Sequence, residues 1–271
     1  MVTVPTVTRA VVRTAQRLSG TGRFLRQINA FRDRVRDEGG VIEDGALKGL
    51  YDPILRKVKG WGLLGDLVFF GAASAVEVNS GSIPKLFDAS GNEHDAIQTT
   101  TAEQPTLDQS SIGGRWAAYF DGSGDQMISN NSFTTNPATH FWVASLNKSP
   151  SQAHIVDGSS NNNLKTRQIV RCFNSKWGGY NGDGIQDGAA DQNDHLFEVV
   201  FDGANSEFII DGTSVAQKDA GTGSLEDMTI GSKRGGVYWE GPINGGLIFD
   251  AKLSSSQRSK IRSHIQDWYS L

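Results

Sequence analysis

The richest run of oxygen ligands in the chain is Asn181-Gly182-Asp183-Gly184-Ile185-Gln186-Asp187, with Asp191 and Asp194 just beyond it. Hard cations take carboxylate and carbonyl oxygens on loops, so Asp183 and Asp187 are candidate calcium ligands and calcium is a candidate cofactor. The spacing is not that of an EF-hand, because Ile185 occupies a ligand place and no Glu closes the loop. An ordinary Asp/Gly turn is the competing use of the same residues. Trp177, Tyr180 and Trp239 lie beside glycine-rich turns, where an aromatic ring can stack on a sugar. With Asn181, which can accept a sugar hydroxyl, they form a candidate glycan-binding set. Core packing is the alternative for such rings in a β fold.

Other chemistries find less footing. Cys172 is the single cysteine and sits between Arg171 and Phe173, in a stretch that reads as a strand. A buried, inert thiol is the expectation there. One cysteine allows no intramolecular disulfide and agrees with folding in a reducing cytoplasm. The five histidines, His94, His140, His154, His195 and His264, show no metal-ligand spacing. No phosphate-cradling or dinucleotide glycine pattern occurs.

The N-terminus carries a different signal. Arg9, Arg13 and Arg17 form an i, i+4, i+8 stripe, and no acid precedes Asp33. Phosphate contacts, an organellar presequence and docking on an acidic neighbour are the three readings of such a stripe. Residues 1–60 hold 12 of the 26 basic and 6 of the 30 acidic side chains, a net of +6. The remaining residues hold 14 and 24, a net of −10, and the sum is the formal −4 of the whole chain. With so modest a charge and no aromatic interleaving, nucleic acid ranks behind docking. Arg9, Arg13, Arg17, Phe24, Ile28 and Phe31 are the candidate docking residues.

These groups must be positioned by two kinds of structure. Phe24, Leu25, Ile28, Phe31 and Val35 fall at helical spacing, and Gly39-Gly40 is a C-terminal stop. Short helices are expected near 46–51 and after Pro53. From residue 61 the pattern is β. Leu67–Phe70, Ala117–Phe120 and His140–Ser145 read as strands. Phe197, Val199 and Phe201 alternate with Glu198 and Val200, and Asp211-Gly212 is a hairpin signal because both positions need positive φ. Short strands also fit Met228–Ile230, Val237–Glu240 and Gly246–Phe249. Ser254 and Gln257 form a capping box before a last helix with Ile261, Ile265, Trp268 and Tyr269 on one face. The 32 glycines, about 12% against a usual ~7%, fit many tight turns. No apolar run reaches the ~18 residues of a membrane span, and the first 30 residues lack the apolar core of a secretory signal.

The sequence of these pieces resembles a known family. Lys85-Leu86-Phe87-Asp88-Ala89-Ser90-Gly91-Asn92, then His94-Asp95-Ala96 and Gln98, resembles the opening segment of laminin-G-like domains with the concanavalin A-like jelly roll. Tyr119-Phe120-Asp121-Gly122-Ser123-Gly124-Asp125 resembles the family's "FDGSDD" turn. Phe201-Asp202-Gly203, Ile210-Asp211-Gly212, Thr229-Ile230-Gly231 and Leu253-Ser254 resemble its second half, so the likeness covers roughly residues 84–271. It implies two antiparallel sheets packed face to face, glycan recognition, and often calcium near the loops. Some jelly rolls of this class hydrolyse glycans with Glu-x-Asp-x-x-Glu on one strand. Alternation brings the two acids to one side, within the ~5–5.5 Å that retention of configuration needs. The nearest run here is Glu93-His94-Asp95-Ala96-Ile97-Gln98, where Gln98 replaces the acid and cannot protonate a leaving group.

Phe31-Arg32-Asp33-Arg34-Val35 and Gly39-Gly40-Val41-Ile42-Glu43 look like the leader that precedes such domains in bacteriophage virion proteins. The expectation is therefore a mainly β chain: a concanavalin A-like jelly-roll sandwich with an α-helical N-terminal segment and a C-terminal helix. Residues 1–60 would be an anchoring segment and 61–271 the jelly roll. The resemblance implies a non-enzymatic, multi-copy virion structural protein, held to other virion proteins by its N-terminus and adhesive to host glycans. A free carbohydrate-binding module is the second reading and a glycan hydrolase the third.

Overall fold

The computed structural model describes residues 20–134, 136–148, 151–158, 167–233 and 236–271, with backbone only for 20–26 and 130–134. The chain is mainly β with a helix near each end, as the patterning predicts. The described strands join in one continuous antiparallel network that folds into two layers. The first layer runs Leu67–Asn79, Glu240–Phe249, Ala138–Ala144, His195–Phe201, Ser206–Ile210, Thr213–Lys218. The second runs Ala96–Ile97, Met127–Thr134, Leu225–Ile230, Gln152–Asp157, Ile169–Phe173, Lys176–Tyr180, Gly184–Ala189. Ser82–Asp88 hydrogen-bonds to a strand of each layer and closes one side.

Side-chain alternation explains why the first layer is apolar on both faces. Along Ala138–Ala144, Trp142 and Ala144 enter the core between the layers. Phe141 and Val143 enter a second core on the opposite face. Phe69, Phe197, Phe201 and Ile248 point the first way; Phe70, Leu196, Leu247 and Phe249 point the second. Helices cover that second face. The helix Ser255–Tyr269 lays Ile261, Ile265, Trp268 and Tyr269 on it. Its capping box is formed: Gln257 N donates to Ser254 Oγ at 3.3 Å and Ser254 N to Gln257 Oε1 at 2.8 Å.

The helix Gly20–Asp37 adds Ile28, Phe31 and Val35 to the same core and stops before Gly39, whose φ of +80° only glycine adopts freely. Val41–Ile42 then pairs with Val76 and Ala75. The helix Asp52–Gly60 and the turn before it bury Leu50, Tyr51, Ile54, Leu55 and Val58. The boundary expected at residues 60/61 thus falls inside a shared core: the sheet's second face needs these helices to be dry. Among the described residues no helix is long and apolar enough to cross a membrane.

Candidate functional site

The alternation that fills the core also lines a groove on the far side of the second layer. On Ile169–Phe173, Val170 and Cys172 face the core, so Arg171 and Phe173 face outward. On Lys176–Tyr180, Trp177 faces inward and Tyr180 outward. On Gly184–Ala189 it is Ile185 inward and Gln186 outward; on Gln152–Asp157, Ala153 and Ile155 inward, Gln152 and His154 outward. A register shift at Val170/Arg171 sets Arg171 opposite His154, and such irregularities re-aim side chains at functional edges. Lys218 and Lys233 close the walls, and Asp183 stands at the margin. The groove measures about 460 Å³, within the ~300–1,000 Å³ of small-ligand sites.

Two features organise it. Arg171 stands over two half-buried rings, its Cζ 4.4 Å from the Phe173 centroid and 5.0 Å from that of Tyr180. A guanidinium on aromatic faces is held in plane without a carboxylate. Burial, with Arg167 nearby, lowers its pKa from the ordinary arginine value. Beneath it, Arg167 and Asp157 form a buried bidentate pair, Nε to Oδ1 at 3.0 Å and Nη2 to Oδ2 at 2.6 Å. His154 Nδ1 lies 3.6 Å from Asp157 Oδ2, and burial lowers the imidazole's pKa despite that carboxylate. The floor is therefore a fixed polar frame and the walls are cationic.

Of the sequence-derived glycan set, only Tyr180 lines this groove. Trp177 and Trp239 are 1% and 0% exposed, with ring centroids 6.0 Å apart in the core, so neither offers a face to a sugar. Trp177 points inward because it alternates with the outward Lys176. Asn181 is fully buried and braces a turn through Nδ2 to Gly221 O at 3.3 Å. The calcium pair is also corrected. Asp183 precedes the strand Gly184–Ala189 and Asp187 lies within it, four residues on, about 13 Å at ~3.3 Å per residue. Each accepts the amide of the next residue, Gly184 at 2.6 Å and Gly188 at 2.8 Å. Among the described residues no group of three or more His, Cys, Asp or Glu could hold a metal ion.

The docking set divides. Arg9, Arg13 and Arg17 lie outside the described residues, and the Phe24 side chain does too. Ile28 and Phe31 are spent on the chain's own second core, at 8% and 6% exposure, which corrects their assignment to a partner. In the run Glu93–Gln98, Asp95 is clamped by Arg34 at 2.8 and 3.1 Å. Gln98 is buried and donates to Glu103 Oε2 and Gln126 O. Cys172 is buried with its thiol pushed up to about 11 by desolvation, the inert state expected of it. Arg167, Arg171 and Phe173 were missed. The signal existed: the strand that buries Cys172 must turn both of its neighbours outward.

No protein-family profile and no curated protein matches the chain. Solved structures do. A Trypanosoma rangeli sialidase in complex with sialic acid superposes with a TM-score of 0.54 at 13% identity, over 83% of this chain and 40% of that one. An arabinofuranosidase complexed with arabinofuranosyl-alpha-1,2-xylobiose superposes with a TM-score of 0.52 at 12% identity, over 69% and 51%. The chain therefore spans about half or less of these proteins, and at such identity the likeness is one of fold. It corrects the expectation of a non-enzymatic chain: the fold is shared with glycosidases and does not set this protein apart from them. The shared architecture is β-rich.

Proposed function

We propose that the chain is a glycan-binding protein whose β fold has the concanavalin A-like jelly-roll topology, displayed in many copies on a bacteriophage virion. The observation that carries the glycan reading is the outward groove, with Phe173 and Tyr180 on either side of Arg171 above the fixed Arg167–Asp157 floor. A sugar ring presents an apolar face to an aromatic side chain and hydroxyls to polar neighbours, and the groove supplies both. The superposed sialidase and arabinofuranosidase are complexed with sialic acid and an arabinosyl xylobiose, ligands of that kind.

The virion reading rests on the leader's likeness and on the charge division of the sequence. Since Ile28 and Phe31 serve the fold, attachment to neighbouring virion proteins falls to the basic stretch holding Arg9, Arg13 and Arg17. A net of −10 beyond residue 60 favours solubility and mutual repulsion of repeated copies. A glycan array probed with the chain and with Tyr180→Ala tests the first part: binding that the variant loses supports it, and binding that the variant keeps places the ligand elsewhere. Locating the chain in an image of a purified particle tests the second, and its absence from particles ends the virion reading.

A further inference from the structure

The groove's charge is unlike that of the surface around it. Arg167, Arg171, Lys218 and Lys233 line it against one lining carboxylate, Asp183, with Asp157 behind Arg167. Asp157 is committed to Arg167 on the floor, with 2.6 Å between Nη2 and Oδ2. Asp183 is exposed and holds the Gly184 amide. Among the described residues, Arg171, Lys218 and Lys233 form no ion pair with a carboxylate. Three uncompensated cations therefore converge on one concavity, in a part of the chain whose formal net charge is −10.

Arg171 is the most telling of the three. Taking a cation out of water is costly unless an opposite charge or hydrogen bonds compensate it. This guanidinium is only partly exposed and is faced by two rings. The rings hold its plane while leaving its N–H fork unpaired among the described groups. A planar fork of that kind matches a carboxylate bidentately. The rings that hold it are the surfaces on which a pyranose would lie.

We infer that the groove selects acidic saccharides: a carboxylate on the sugar ring meets Arg171, Lys218 and Lys233 meet neighbouring negative charge, and the ring lies against Tyr180 and Phe173. This rests on the glycan reading above and narrows it to a charged class. Carboxylated and sulfated sugars share the negative charge and both offer a guanidinium a pair of oxygens; the carboxylate is the assigned class, and the matched probes separate the two.

The test uses the full chain and matched probes: a tetragalacturonate with its methyl ester, a sialyl-lactose with lactose, and a sulfated disaccharide with its desulfated parent. Affinities are measured by calorimetry at low and raised salt. The carboxylated probes should bind about tenfold or more tightly than their neutral parents, a preference that shrinks as salt rises. Arg171→Gln should abolish the preference. Lys218→Gln changes an exposed side chain, so it should weaken the preference with the melting temperature unchanged. Equal affinity for acid and neutral parent overturns this inference and leaves the glycan reading standing. Preference for the sulfated probe overturns the carboxylate assignment. Binding of none of the probes overturns the inference and the glycan reading together.

Discussion

Neighbouring residues on one strand have opposite jobs here, and two substitutions separate them. Tyr180 lines the groove, whereas Trp177, three positions earlier, packs on Phe197 at 4.8 Å and Trp239 at 6.0 Å. Trp177→Ala should cost about 3–5 kcal/mol, the price of a large core cavity, read as a fall in the denaturation midpoint. Tyr180→Ala should leave that midpoint within ~1 kcal/mol and lower glycan affinity. A second residue-scale prediction concerns His195, whose ring nitrogens lie 2.7 Å from Asp191 and 2.6 Å from Asp211. Burial works against the imidazolium, but hydrogen bonds to Asp211 and Asp191 outweigh it and raise the pKa. Burial likewise opposes the Asp191 carboxylate, and the hydrogen bonds from His195 and Asn193, with the charge of His195, together outweigh it and lower that pKa. A raised histidine stabilises the fold fully below its unfolded pKa and loses that contribution as pH rises through the folded one. A lowered aspartate contributes above its unfolded pKa and loses it as pH falls through the folded one. The triad should therefore stabilise a window between the two limits. Melting temperatures measured across pH should show an alkaline decline that His195→Gln removes. Both carboxylates are well exposed, so raised salt should shrink the effect.

At the scale of elements, the contact that fixes the N-terminal helix is the Arg34–Asp95 clamp. Arg34 also donates to Asp88 O at 2.8 Å and lies over the Phe87 ring at 5.4 Å. Asp88 in turn accepts the amides of Phe70, Ser90 and His94, so helix, first strand and following loop meet at one polar knot. Arg34→Ala should leave Asp95 with the Asp88 amide at 2.8 Å and Lys85 at 3.7 Å and cost on the order of 3 kcal/mol, as breaking a mostly buried pair does. Hydrogen exchange should show protection lost first over residues 28–37, with the strand His195–Phe201 still protected. The elements themselves were largely legible in the sequence. Helical spacing marked Ile28, Phe31 and Val35; the capping box marked the last helix; and Asp211-Gly212, at φ +51° and +89°, marked the hairpin. Those signals are local. The groove is assembled from strands 152–157, 169–173, 176–180 and 184–189, and its depth depends on which strands are neighbours, which no local spacing reports. The two tryptophans were misplaced for a related reason. Proximity to glycine turns says nothing about which face of a strand a side chain takes, whereas period-two alternation from Cys172 does.

At the scale of the whole molecule, the described structure is three layers: helices, a sheet apolar on both faces, and a second sheet carrying the groove outward. The charge division falls at residue 60, but the layers divide elsewhere. Residues 28–58 contribute Ile28, Phe31, Val35, Ala46, Leu50, Tyr51, Ile54, Leu55 and Val58 to the second core. At ~1.5–3 kcal/mol for each of the eight large side chains among them, their loss is about 12–24 kcal/mol, as large as or larger than the ~5–15 kcal/mol by which domains are stable. Removing residues 1–60 would also bare Phe70, Phe141 and Phe249 to water, an exposed apolar face of the kind that drives association. That truncation should therefore be insoluble or aggregated. Removal of residues 1–19 takes away Arg9, Arg13 and Arg17 and keeps every described core residue, so it should yield a protein with full-length thermal stability and glycan affinity that no longer enters particles. The comparison is made by expressing both truncations during phage assembly and assaying purified virions. A soluble, cooperatively melting 61–271 fragment would show that the sheet does not depend on its helical cover. Normal incorporation of the 20–271 fragment would remove the basic stretch from the attachment site.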